Sequence, residues 1–166
     1  MRPTPRLRAL CLALALPGFA LAADPVQEIG QALDRFHEAA SRADGEAYFA
    51  LFARNGVFIG TDAAERWTLQ QFRAYAKPFF ERGQGWTYHP RERHVTLMEQ
   101  PCACIAWFDE LLDADAYGTS RGTGVMVLED GGWKVAQYAL SFPIPNDLAA
   151  GMTEQIKAFE VRQKTP

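Results

Sequence analysis

The stretch Gly56-Val57-Phe58-Ile59-Gly60-Thr61-Asp62-Ala63-Ala64-Glu65-Arg66-Trp67-Thr68 runs an apolar strand pattern into a turn rich in groups that hydrogen-bond, carry charge or stack. Such side chains at the rim of a sheet sit where pockets open. Thr61 and Asp62 are candidate ligand contacts, or else they stabilise the turn, because short polar side chains bond their own backbone. Trp67 is a lid over a cavity mouth or a piece of core. A second candidate is the pair Asp109 and Glu110. Neighbours on a strand face opposite ways, so one of the two reaches the interior and one does not. A carboxylate held in an apolar cavity is a general base. Asp109 is the candidate for that role, and the alternative is a surface acid paired with Arg121 on the next strand. Arg121 suits either role, since its forked donors hold a carboxylate of the protein or of a ligand.

Several chemistries find no support. His89 and His94 are separated by Pro90, and no Cys or carboxylate stands at a spacing that completes a metal site, so both are expected to be structural. No Ser–His–acid set and no glycine-rich phosphate loop occurs, and no metal or cofactor is expected. Cys102 and Cys104 form a Cys-Ala-Cys strand. Alternate residues of a strand lie about 7 Å apart, which strains a bridge, so two small buried apolar residues are expected.

The elements that must position these groups begin after an export signal. Arg2, Arg6 and Arg8 precede an apolar run, Ala9 to Ala22, broken by Pro17-Gly18 and ending in Ala20-Leu21-Ala22. This is the layout of a cleaved signal peptide spanning residues 1–22, so residues 23–166 are expected as one periplasmic or secreted domain. Loss of those three arginines takes the formal net charge from −3 to −6. An acidic product without a Lys/Arg cluster argues against nucleic acid and anionic membranes as partners.

Val26, Ile29, Leu33 and Phe36 stand at helical spacing and predict a helix from about Pro25 to Arg42. Asp44 caps a second, short helix closing near Asn55-Gly56. Thr68 with Gln71 three residues on opens a third, which Pro78 should kink or end. Beyond Gly85 the segments 86–89, 93–98, 103–112, 119–128 and 133–142 read as strands, with the Glu129-to-Gly132 segment as a hairpin turn. A last helix at about 147–162 carries Leu148, Met152, Ile156 and Phe159. Helices first, then antiparallel strands, is the α+β pattern with helices packed on one face of a strongly curved sheet. The hairpin places Leu128 opposite Trp133, which turns Met126, Gly124, Gly122, Val135 and Ala139 inward with Gln137, the one polar group on that face.

In order, Gly60-Thr61-Asp62-x-x-Glu65-x-Trp67, Ala106-Trp107-Phe108-Asp109-Glu110, Arg121-Gly122-Thr123-Gly124-Val125, Gly132-Trp133-Lys134-Val135-Ala136-Gln137-Tyr138 and Ser141-x-Pro143-Ile144-Pro145-Asn146 resemble the SnoaL-like group of the nuclear-transport-factor-two-like superfamily, over about residues 24–147. The resemblance implies a cone of helices against a curved sheet, often paired as a homodimer through the outer sheet face. It also implies either a module holding a small, largely apolar molecule, an acid/base isomerase, cyclase or dehydratase with Asp109 as base, or a pairing module with a vestigial cavity. Thr61, Asp62, Trp67, Arg121 and Gln137 would be the ligand contacts.

Overall fold

The computed structural model describes residues 24–164; the expected signal peptide lies outside the described residues. Asp24 caps helix α1 (Pro25–Ser41) by accepting a hydrogen bond from the Val26 amide at 3.0 Å, and Pro25 occupies the first turn, where its missing N–H costs nothing. The apolar stripe of α1 is buried at Ile29, Ala32, Leu33, Phe36, Ala39 and Ala40, and His37 lies on the same face. Helix α2 (Gly45–Ala50) is capped by Asp44. It ends earlier than expected, because Asn55 and Gly56 belong to strand β1 (Phe52–Ile59). A short strand β2 (Arg66–Thr68), which the apolar pattern does not reveal, leads into helix α3 (Leu69–Phe80). The expected capping box at Thr68 and Gln71 is formed, and Pro78 sits inside α3, two residues before its end.

Four longer strands follow: β3 (His89–Met98), β4 (Ile105–Ala114), β5 (Gly118–Glu129) and β6 (Gly132–Ser141). Residues 81–88 carry no helix or strand, and the strands expected at 86–89 and 93–98 are replaced by the single strand β3 that begins at His89. The sheet order is β2-β1-β6-β5-β4-β3. It is antiparallel except that β1 lies parallel to β6, a correction to the wholly antiparallel expectation. Asp130 and Gly131 both take positive φ, 52° and 77°, which is the mirror-image two-residue turn whose twist suits a hairpin. Cys102 and Cys104 fall in the β3–β4 connection rather than in a strand. There their Cα atoms approach to 5.2 Å and the two residues are bridged, against the expectation of buried free thiols.

The helices α1 to α3 cover one face of the curved sheet. Between the layers lies a core in which Phe36, Tyr48, Phe49, Phe52, Phe58, Phe72, Trp133 and Tyr138 are all buried. Helix α4 (Asn146–Lys164) forms as expected, yet Leu148, Met152, Ile156 and Phe159 on it remain exposed.

One irregularity decides which residues reach the interior. Leu128 faces Trp133 as the turn predicts, and Met126 faces Val135, but Val125 faces Gln137. Ala136 is thus the extra residue of a β-bulge, and a bulge swaps the two faces of the strand beyond it. Tyr138 therefore turns inward, and Gln137 outward. Gly124 sits across from the bulge, where a Cβ would overlap the Gln137 carbonyl oxygen and press on the Phe108 ring. The obstacle is backbone and cannot rotate away. Gly124→Ala is expected to cost about 1–3 kcal/mol by overpacking, measured as a lowered urea midpoint with an unchanged m-value. A midpoint equal to that of the parent would show that the bulge is not held by this close approach.

Candidate functional site

A cavity of about 290 Å³ opens between the helices and the sheet. Its walls are mostly aromatic. Helix α1 supplies Phe36 and His37, α2 supplies Tyr48, β1 supplies Phe58, β2 and α3 supply Trp67 and Phe72, and β6 supplies Tyr138. Several rings lie nearly parallel. Phe58 stacks on Phe72 at 4.0 Å and 13°, Trp67 lies at 6° to Phe72, and Phe58 lies at 5° to Tyr138. Trp67 also stacks on Tyr75 at 4.7 Å. Stacked on one another, these rings make a packed aromatic wall to the cavity, since offset parallel stacking is a favoured aromatic geometry.

The Gly60–Glu65 turn makes the rim. The Gly60 amide donates to the Glu65 carbonyl at 2.8 Å, and the Asp62 amide donates to the Glu65 carboxylate at 3.2 Å. That carboxylate folds back over Gly60, where any Cβ would overlap it. Thr61 and Glu65 border the cavity. Asp62 is exposed and accepts from the Ala64 amide at 2.8 Å, the turn-stabilising role.

Beside the cavity lies a buried polar cluster centred on Glu110, which is fully excluded from solvent. Its Oε1 accepts from His37 Nε2 at 2.7 Å and from the Tyr138 hydroxyl at 2.9 Å, and its Oε2 accepts from Arg93 Nε at 2.8 Å. Arg93 Nη1 also donates to the Gly30 carbonyl at 3.0 Å and to Asp34 at 2.7 Å. An ionised carboxylate only accepts, so His37 Nε2 carries the proton and the imidazole is fixed in orientation. Burial pushes the Glu110 carboxyl up, but the His37 hydrogen bond and the attraction of His37 and Arg93 outweigh it and hold the group below its ordinary value. Burial, then the adjacent Glu110 charge, raises the Tyr138 hydroxyl well above the ordinary tyrosine range, so it stays a neutral donor. Gly122 makes this reach possible, since a Cβ there would overlap the Tyr138 hydroxyl.

Of the residues singled out from the sequence, Thr61 and Trp67 border the cavity. The other four do not. Asp109, Arg121 and Gln137 stand on the outer face of the sheet, with Asp109 and Arg121 exposed. Asp109 is displaced by its neighbour: alternation along β4 turns Phe108, Glu110 and Leu112 inward and Trp107, Asp109 and Leu111 outward. Arg121 forms no ion pair with the described residues, so the pairing with Asp109 is not made. Gln137 is turned away by the bulge, and Asp62 by its own turn. His37, Tyr48, Arg93 and Tyr138 were not legible as site residues. The one available signal was a histidine following Phe36 on the apolar face of α1. Among the described residues, no group of three or more His, Cys, Asp and Glu side chains could hold a metal ion.

A curved sheet wrapped over N-terminal helices, with a cavity opening between the layers, is the cone architecture of NTF2-like domains. Residues 29–145 match the SnoaL-like domain family, and the chain belongs to that family. Solved structures share the fold at low identity. An NTF2-like protein of unknown function from Pseudomonas putida aligns at 18% identity over 72% of this chain and 87% of its own, with a TM-score of 0.59. A putative dehydratase of the NTF2-like family from Streptomyces avermitilis aligns at 16% identity over 72% and 97%, with a TM-score of 0.58. A cystatin-like fold protein from Burkholderia xenovorans aligns at 22% identity over 72% and 93%, with a TM-score of 0.58. No curated protein matches the sequence. Fold at this distance carries over and chemistry does not.

Proposed function

We propose that this SnoaL-like domain is an exported module that holds one small, flat, largely apolar molecule in the cavity between its helices and its sheet. The observation that supports this reading is the cavity of about 290 Å³, open to solvent and walled by near-parallel rings. A well-formed apolar pocket with a few convergent polar groups is the usual form of a small-molecule site. Trp67 and Thr61 are the contacts at its mouth. Export rests on the N-terminal Arg-rich and apolar segments. Pairing of two copies through the outer sheet face is part of the proposal, since Trp107 stands 48% exposed there. Mass spectrometry of small molecules extracted from the protein purified from its native periplasm tests the reading. A stoichiometric aromatic or alicyclic compound is expected, and Trp67→Ala is expected to lose it. A parent protein that retains nothing and binds no flat apolar probe sinks the proposal.

The His37–Glu110 hydrogen bond favours one alternative, an acid/base enzyme of the isomerase, cyclase or dehydratase type. In it His37, not Asp109, exchanges the proton, and Glu110 fixes the imidazole. Incubating the recovered compound with the protein and following it by NMR decides this. Recovery of the compound unchanged, with no deuterium taken up from D2O, rules out turnover.

A further inference from the structure

Tyr48 is the one hydroxyl of the cavity wall that is both fully buried and without a hydrogen-bond partner. Tyr138, the other buried tyrosine of the wall, is bonded to Glu110. The neighbour of the Tyr48 hydroxyl is Trp86, set edge-on with ring centroids 5.9 Å apart. The indole N–H is a donor only, so it offers the Tyr48 hydrogen no acceptor. Trp86 itself is half-buried and lies in the 81–88 segment between α3 and β3. A buried hydroxyl without a partner is costly to the free protein, and a ligand atom that pairs it recovers that cost. Burial holds Tyr48 protonated well above the ordinary tyrosine range, so it acts as a donor at neutral pH. The walls also carry no Lys or Arg, while Glu65 places a carboxylate at the rim. An anionic ligand would be repelled there, and the imidazole of the wall, His37, is already engaged with Glu110.

We propose that Tyr48 is the polar anchor of the cavity, and that the ligand is a neutral, flat molecule whose carbonyl or other acceptor oxygen takes the Tyr48 hydrogen as Trp86 yields. This rests on the reading of the cavity as a small-molecule site, and deepens it by naming the ligand's polarity and charge. In the free protein Trp86 packs against Phe72 and Phe80, with ring centroids 6.0 and 4.6 Å away.

The test compares three probes, naphthalene, 2-acetylnaphthalene and 2-naphthoate, titrated by calorimetry at neutral pH into the parent protein and into Tyr48→Phe. The parent should bind the ketone about tenfold more tightly than naphthalene, a difference of about 1.4 kcal/mol, and should bind the carboxylate more weakly than the ketone. Tyr48→Phe should bind naphthalene as the parent does and lose the preference for the ketone. It should also melt no lower than the parent, because the removed hydroxyl had no partner to lose. Equal affinity for naphthalene and the ketone, or a preference that survives in Tyr48→Phe, overturns the anchor and leaves the cavity reading intact. A clear drop in melting temperature in Tyr48→Phe overturns its premise. If the parent binds none of the three probes, the cavity reading itself fails.

Discussion

Replacing Glu110 by alanine is expected to destabilise the domain by about 3–5 kcal/mol, because it strands three partners at once. Arg93 would keep its charge beside Asp34 and lose its bond to Glu110, and the Tyr138 hydroxyl and His37 Nε2 would lose their acceptor. The cost is that of two buried donors left without an acceptor and of a guanidinium left with one carboxylate instead of two, and it is larger than the net worth of the intact cluster. Urea unfolding of the parent and of Glu110→Ala measures it, and a loss below about 1 kcal/mol would mean that water replaces the carboxylate freely. Glu110→Gln separates charge from shape. Since the folded-state carboxyl titrates below the ordinary value of 4.5, the carboxylate's stabilisation is complete above that value and is lost as pH falls through the folded one. The stability of the parent should therefore fall more steeply on acidification than that of Glu110→Gln. Parallel acid limbs for the two proteins would remove Glu110 as the source.

The second large effect is expected at Phe36. This ring is 3% exposed and lies against Tyr48 at 4.5 Å, Tyr138 at 5.1 Å and Phe52 at 5.4 Å. It is at once core and cavity wall. Phe36→Ala removes a buried aromatic side chain whose neighbours are fixed by helix and sheet, so the space does not collapse, and about 3–5 kcal/mol is lost. The same change widens the cavity next to His37, so the variant should bind bulkier flat probes than the parent while unfolding at lower urea. A loss below about 1.5 kcal/mol would show that the surrounding rings repack into the gap.

Both effects fall on residues that local pattern places well but whose partners it cannot supply. The helical spacing of Ile29, Leu33 and Phe36 shows the buried face of α1, and His37 follows from it only as a residue adjoining that face. Its partner Glu110 is 73 residues away, and only the docking of α1 on the sheet brings the two together. The same holds for Arg93, which reaches Glu110 from the neighbouring strand and Asp34 from the helix. At Asp109 and Glu110 the two-residue period of a strand states that one acid faces in, and the phase of the whole strand decides which.

The sequence by itself determined what depends on neighbours in the chain. It shows the apolar stripe of α1, the capped starts of α2 and α3, the Asp130-Gly131 turn, the α+β order of elements and the motif spacing that marks a SnoaL-like domain. These rest on short-range hydrogen bonds and on hydrophobic period, which are visible in any window of a few residues. The tertiary structure alone decided the site. A single extra residue at Ala136 exchanged Gln137 for Tyr138 at the cavity wall. Strand phase exchanged Asp109 for Glu110, and the closing of the Cys102–Cys104 turn bridged two residues expected to stay apart. Each outcome is set by the fit of one element against another, and no local propensity encodes that fit.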